Sequence, residues 1–230
     1  FTLTFNESPI ERVNAYKYLG SMYKEITRKG SDVFAMNHDY LYDKGQRAMF
    51  SMTKKVNSIG VLPTNVMCHL FDSLILPIVT YGSDVWGTCR IGLDNADKLF
   101  RKFIRGVIRV KASTSNTVLY GEVGRFPPSV YCHVNVICYF NRLYNMQNGN
   151  IMKRVFNALL SLHEQGFKTW VTKICELAKG YRLNIFDNNV AQFKAECKMA
   201  VRQKFISNWQ ANLSDIINKP KLRLYTLIKQ

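Results

Sequence analysis

Several features that mark common enzyme and metal-binding classes are missing from this sequence. Its six cysteines never form a Cys-x-x-Cys pair, the spacing that many structural zinc sites use. The glycines at Gly121 and Gly124 lack the lysine and the preceding strand of a phosphate-binding loop. No Gly-x-Ser-x-Gly turn is present to carry a nucleophilic serine. These absences argue against a zinc domain, a P-loop nucleotidase and a serine hydrolase.

Acidic residues are also scarce, with 16 Asp and Glu against 32 Lys and Arg. Two-metal nucleotidyl transfer needs two or three converging carboxylates, and the strand-like beginning of the chain offers only Glu7 and Glu11. Asp39 and Asp43 lie four residues apart and could share a cation, although a solvated helix surface is the commoner explanation. We therefore expect no catalytic residues, no metal site and no cofactor within this segment.

The sequence has no long hydrophobic run. The most apolar stretch, residues 70–81, is broken by Asp72 and Pro77 and is shorter than the roughly 20 residues that cross a bilayer. It predicts a buried helix, and we expect no membrane partner. Scattered cysteines in a chain of this size indicate reduced thiols, hence an intracellular protein of the nucleus, the cytoplasm or both.

What the sequence has in abundance is positive charge and apolar residues. The formal net charge is +16, and 47% of the 230 residues are hydrophobic, which is ample for a packed core. An excess of one sign repels itself in the compact state, and a polyanion relieves that repulsion. Nucleic acid is the partner that the charge favours, with an anionic membrane surface as the alternative.

Periodicity predicts a mainly α fold, with one or more helical bundles preceded by a short β-hairpin element. Phe1, Leu3 and Phe5 alternate as in a strand, and a second strand-like stretch ends near Leu19. Three regions are predicted: a β element at 1–30, a basic helical domain at 31–148, and a helical connecting region with a basic tail at 149–230. The tail, 219–230, is expected to become ordered on a partner. The spacing of apolar residues, together with the Gly and Pro residues that begin or end such stretches, predicts seven helices. One ends at Gly60, and the others cover 63–77, 93–111, 127–148, 151–162, 170–177 and 189–213.

The predicted helix 93–111 has a basic face opposite its apolar stripe. Five cations recur on that face at steps of three and four residues: Lys98, Arg101, Lys102, Arg105 and Arg109. No acidic residue occurs between Lys98 and Lys111, whereas a solvated helix face normally mixes the two signs. The pattern predicts contact with a phosphate backbone, and an ordinary solvated surface is the alternative. A second basic stretch, Lys194 to Lys204, is weaker because it includes Glu196.

Four segments, in order along the chain, resemble reverse transcriptases of non-LTR (LINE-like) retrotransposons. Tyr16-Lys17-Tyr18-Leu19-Gly20 is similar to their primer-grip motif, which marks the junction of palm and thumb. The others are 70–87, with its run Tyr81-Gly82-Ser83-Asp84-Val85-Trp86-Gly87, then 100–103 and 114–127. A fainter similarity covers Trp209 and 221–225, and Asp84 stands where the family has glutamate.

This resemblance implies the non-catalytic thumb and connecting region of a longer RNA-directed DNA polymerase, whose catalytic aspartates would precede Phe1 and whose cysteine- and histidine-rich region would follow Gln230. The parent enzyme would need Mg, and the implied partners are a primer-template of RNA and DNA and the rest of the polymerase polypeptide. The resemblance and the charge together predict these nucleic-acid-binding residues: Tyr18, Leu19, Gly20, Lys98, Arg101, Lys102, Arg105, Arg109, Lys111 and Arg125.

Three alternatives stay open. Arg125, which follows a glycine, could cap a neighbouring helix instead of binding phosphate. The chain could be a free-standing or domesticated helical adaptor that binds protein partners through its apolar helix faces. It could also be a peripheral membrane protein that uses the basic face.

Overall fold

A computed structural model describes residues 4–5, 8–9, 13–24, 34–215 and 222–229. Within them the fold is mainly α with short antiparallel β-hairpins at the beginning, as the sequence predicted. Strand β1 (Thr4–Phe5) pairs with β2 (Ser8–Pro9), and β3 (Ala15–Tyr18) pairs with β4 (Ser21–Lys24). Phe1 and Leu3 of the predicted first strand lie outside the described residues.

Eleven helices follow in the described part of the chain, and several are short. Their bounds are α1 Ala35–Ile59, α2 Thr64–Leu74, α3 Leu76–Val79, α4 Ser83–Trp86, α5 Arg90–Val107, α6 Asn116–Val123, α7 Pro128–Tyr144, α8 Ile151–Glu164, α9 Trp170–Gly180, α10 Val190–Ser214 and α11 Arg223–Lys229. None of these helices combines the length and the apolar character that a membrane span requires.

The apolar side chains pack into two main cores. One core joins α1, α2, α3, α5 and α6 around Phe71, Leu99 and Phe100. The other joins α7, α8, α9 and α10 around Phe140 and Phe193. Helix α7 packs on both α5 and α10, so it links the two cores. The buried residues thus divide between α6 and α7, while the predicted domain boundary near residue 148 stays a prediction.

Helix α5 ends earlier than the predicted Lys111, at Val107. Two residues later Arg109 takes a left-handed backbone conformation with φ 54°, and the amide of Val110 donates to the Arg105 carbonyl, 3.1 Å away. This is the Schellman arrangement that closes many helices. Val110 then packs against the first core, and this apolar contact accompanies the turn away from the helix axis.

Two segments for which no helix was predicted contain helices: the stretch 112–126 between two predicted helices, and the tail. Ser115 caps α6 by accepting a hydrogen bond from the Thr117 amide, and Gly124 ends it at φ 60°. Helix α11 packs on α10, where the hydroxyl of the buried Thr226 donates to the Leu213 carbonyl at 3.1 Å. The tail was expected to become ordered on a partner, but in this structure the chain's own helix α10 supplies the surface on which it packs.

Candidate nucleic-acid interface

Tyr18, Leu19 and Gly20 form the tip of the β3–β4 hairpin. Leu19 and Gly20 both have positive φ, 44° and 87°, as a type I′ two-residue turn requires. The Tyr81 hydroxyl donates to the Leu19 carbonyl at 2.6 Å, and a Cβ on Gly20 would lie 3.5 Å from the Tyr81 ring. The segments 16–20 and 81–87 therefore meet at this turn, and Leu19 and Gly20 attach the hairpin to the helices.

The hairpin has one face on α1 and one face in solvent. The Met22 amide donates to the Asn37 side-chain oxygen at 3.0 Å, and the Lys17 ammonium lies 5.2 Å from the centre of the Tyr40 ring. Three tyrosines remain exposed: Tyr16 by 59%, Tyr18 by 56% and Tyr23 by 43%. Tyr16 and Tyr18 of the motif are thus more than half exposed, whereas the side chains of Phe1 and Phe5 lie outside those described.

The run from Tyr81 to Gly87 holds α4 in place. Trp86 is 2% exposed, and its indole N–H donates to the Tyr81 carbonyl at 2.8 Å. Gly87 lies so close to α7 that an added Cβ would come within 2.6 Å of the Cys132 carbonyl oxygen. The residues that make this run recognisable thus have a packing role in this fold.

Lys98 and Lys102 form the exposed part of the basic face on α5. The Lys98 ammonium lies 5.9 Å from the centre of the Tyr42 ring, and the Lys102 ammonium 4.9 Å from that of Phe50. Both rings belong to α1, so each cation rests against an aromatic face while remaining open to solvent. These two lysines are exposed on the side of α5 opposite its apolar stripe, and their contact with phosphate stays a prediction.

Arg101 and Arg105 lie on the side of α5 that faces α6, and they bind within the protein. The Arg101 guanidinium donates to the Tyr120 hydroxyl at 3.4 Å. One nitrogen of Arg105 donates to the Thr114 carbonyl at 3.1 Å and to the Asn116 side-chain oxygen at 2.9 Å. The predicted basic face therefore has two parts, and its arginine part holds the 114–116 loop against α5.

This division leads to a stability prediction. Arg105→Gln is expected to lower the free energy of unfolding by about 1–2 kcal/mol, because two hydrogen bonds from a charged donor are lost. Lys102→Gln, one turn earlier and exposed, is expected to change it by less than about 0.5 kcal/mol. Urea unfolding of the two variants checks this, and equal stabilities would show that Arg105 does not support the loop.

Arg125 forms an ion pair with Asp72 at 3.4 Å, and both side chains are about three-quarters buried. Burial raises the pKa of Asp72, and the neighbouring Arg125 opposes that rise. The pair joins the end of α6 to α2. The structure thus gives Arg125 a partner within the protein, the carboxylate of Asp72, and its contact with phosphate stays a prediction.

A groove runs between the second halves of α1 and α5 and has a volume of about 550 Å³. Lys102 and Arg109 line it beside the exposed Phe50, and an added Cβ on Gly106 would meet no atom within 4 Å. We call it the α1–α5 groove. Phe50 was not among the predicted binding residues, although it falls off the buried stripe of α1 and is exposed. Tyr42 packs partly on the first core, so its spacing gives no such signal.

The remaining predicted cations lie at the edges of this surface. Arg109 and Lys111 are exposed beyond the end of α5, so they continue the basic surface as a loop and not as a helix face. The weaker basic stretch is also exposed, on α10, and Arg202 there lies 5.4 Å from the centre of the Phe126 ring.

Several side chains that could carry chemistry, among them one histidine and one cysteine, have structural roles. His133 Nδ1 lies 2.7 Å from the Tyr181 hydroxyl, and burial lowers the pKa of His133 to about 4. Burial likewise raises the pKa of the Cys132 thiol to about 12, which keeps it protonated and unreactive. Asp39 accepts a hydrogen bond from the Asn95 amide group at 3.4 Å. In the described ranges, no group of three or more His, Cys, Asp or Glu side chains is arranged to hold a metal ion.

Comparisons of the chain with known protein families, with curated proteins and with solved structures find no match.

Proposed function

We propose that this chain is a non-catalytic nucleic-acid-binding segment that holds a primer-template of RNA and DNA through phosphate contacts, as the thumb and connecting region of an RNA-directed DNA polymerase would. The observation that carries the proposal is the exposed basic surface at Lys98, Lys102, Arg109 and Lys111, which has no acidic residue within its span. Phosphate contacts of this kind set register and orientation without reading sequence.

The α1–α5 groove supports the same function with a second type of contact. Exposed aromatic rings stack on unpaired bases of any sequence, while neighbouring cations follow the backbone. Phe50 is 53% exposed beside Lys102, and Arg47 and Lys54 lie one turn before and after it on the exposed side of α1. A strand end lying in this groove would meet cations on both helices.

The exposed tyrosines of the hairpin support the proposed place in a longer polypeptide. Tyr16 and Tyr18 stack at 6.4 Å on the face that does not contact α1. Large apolar rings grouped on a surface are typical of contact sites. In the proposed parent, this face would meet the polymerase palm, with the basic surface on the adjoining helices.

Salt dependence of binding tests the proposal. Fluorescence anisotropy with labelled RNA–DNA hybrids is expected to give the same affinity for hybrids of different base sequence. Four phosphate contacts predict that the affinity falls about a hundredfold between about 50 and 200 mM salt. Salt-independent binding would contradict the proposal, as would binding to anionic vesicles without binding to the hybrid.

A further inference from the structure

A second groove lies over the other core, between α7, α8 and the start of α9, and Phe34 and Val85 complete its lining. It has a volume of about 460 Å³ and is lined by apolar side chains, among them Tyr139, Val155, Phe156 and Trp170. Phe156 at its floor is 2% exposed, whereas Ile151 and Val155 on its α8 wall are 72% and 56% exposed. We call it the α8 groove. Its depth and its open apolar wall are typical of grooves that receive a helix.

The α8 groove is held in shape by its aromatic residues. The Trp170 indole N–H donates to the Val85 carbonyl at 2.8 Å, which ties the start of α9 to α4. The same ring stacks on Phe140 at 6.2 Å and meets Tyr139 edge-on at 6.1 Å. A groove fixed in this way needs little rearrangement on binding, which favours affinity.

The margin of the α8 groove is mainly cationic. Arg142 is exposed and lies 4.9 Å from the centre of the Tyr139 ring. Arg154 is exposed between Ile151 and Val155 in α8, and Lys173 is exposed one turn after Trp170 in α9. Asp84, beside Val85, is an acidic residue near Tyr139 and adds to the burial that raises the pKa of that tyrosine. The margin therefore favours an acidic partner.

We propose that the α8 groove binds the apolar face of an amphipathic helix with acidic flanks, supplied by a partner protein. The cations of the margin complement such flanks, and the apolar floor takes the side chains that recur at helical spacing. A second copy of this chain is disfavoured because its charge is also +16 and the margins would repel. A bilayer is disfavoured because a flat surface does not reach the buried Phe156.

A designed peptide provides the probe. It is an 18-residue helix with leucines at positions i, i+3, i+4 and i+7 and glutamates on the flanks, labelled for fluorescence anisotropy. One control has the same composition in scrambled order, and the other replaces the glutamates by lysines. We expect the chain to bind the acidic peptide and to bind both controls at least about tenfold more weakly. Equal binding of either control would overturn the proposal.

Variants locate the contact and keep the test independent of folding. Val155→Asp is expected to weaken peptide binding about tenfold or more, because a carboxylate would then face the acidic flanks and the apolar side chains. Met199→Asp on α10 is the matched control, since Met199 is 67% exposed and lies away from the groove. Both variants are expected to give the far-ultraviolet circular dichroism of the unmodified chain. Unchanged binding by Val155→Asp would overturn the proposal.

The same variants separate peptide binding at the α8 groove from hybrid binding at the basic surface. Val155→Asp is expected to leave hybrid binding unchanged, because the α8 groove and the basic surface lie on different helices. Arg142→Glu with Arg154→Glu is expected to weaken the acidic peptide and to strengthen the lysine-flanked peptide. If the double variant left both affinities unchanged, charge complementarity would be wrong and the proposal with it.

Discussion

Replacing Lys98, Lys102, Arg109 and Lys111 together by glutamine is expected to lower the salt-dependence slope of hybrid binding by about three units. The slope is the change in the logarithm of the affinity for each tenfold change in salt concentration. If the variant and the unmodified chain bind equally at about 1 M salt, a slope lower by about three units makes the variant about a thousandfold weaker at about 0.1 M salt. The fold should be retained because all four side chains are exposed. Arg101 and Arg105 are left in place because they bind within the protein.

A matched control removes the same charge from another surface. Arg154, Lys168, Lys173 and Lys179 are exposed on α8, on α9 and in the loop between them, and their replacement by glutamine also reduces the net charge by four. We expect this control to lower the slope by less than about one unit, because distant charges are screened within about 10 Å at 0.1 M salt. Anisotropy titrations at several salt concentrations measure both slopes. Equal slopes for the two variants would show that only net charge matters and that the basic surface is not a site.

The helices with strong apolar periodicity were predictable because their pattern is local. In α5, the buried residues Ala96, Leu99, Phe100 and Phe103 recur at steps of three and four, and the predicted helix contains them. Its end was not predictable from this pattern, because Ile108 and Val110 continue the apolar series after the helix has stopped. The left-handed Arg109 ends it where glycine is the residue usually found.

The division of the basic face depended on contacts that are distant in sequence. Nothing in the spacing of Lys98, Arg101, Lys102 and Arg105 distinguishes the lysines from the arginines. The partners of Arg105 are a backbone carbonyl at Thr114 and a side chain at Asn116, both in a loop whose path depends on α6. Helix α6 was itself missed because its eight residues give too little periodicity to indicate a helix.

The role of the glycines in the segments 16–20 and 81–87 also could not be predicted from the sequence. The sequence marks Gly20, Gly82 and Gly87 as members of a motif, but it does not say whether they serve binding or packing. Gly82 needs its positive φ of 69°, whereas Gly87 has an ordinary helical φ of −61°. The need for glycine at position 87 therefore comes from the close approach of two backbone carbonyls, that of Ser83 in α4 and that of Cys132 in α7, which only the folded structure reveals.

Gly87→Ala is accordingly expected to lower the free energy of unfolding by about 3 kcal/mol. The new Cβ would lie 2.4 Å from the Ser83 carbonyl oxygen and 2.6 Å from that of Cys132. Both are backbone atoms, so relief requires the end of α4 to unwind at Ser83 and α7 to move away at Cys132, which is fully buried. Urea unfolding followed by circular dichroism measures the loss.

Gly106→Ala is the matched control, because it adds the same methyl group to a glycine in α5 where no atom lies within 4 Å. Alanine is the better helix former, so this variant is expected to gain about 0.5–1 kcal/mol. The two substitutions therefore should shift the urea midpoint in opposite directions. If Gly87→Ala were as stable as the unmodified chain, α4 and α7 would not be in the close contact described, and the run from Tyr81 to Gly87 would need an explanation other than packing.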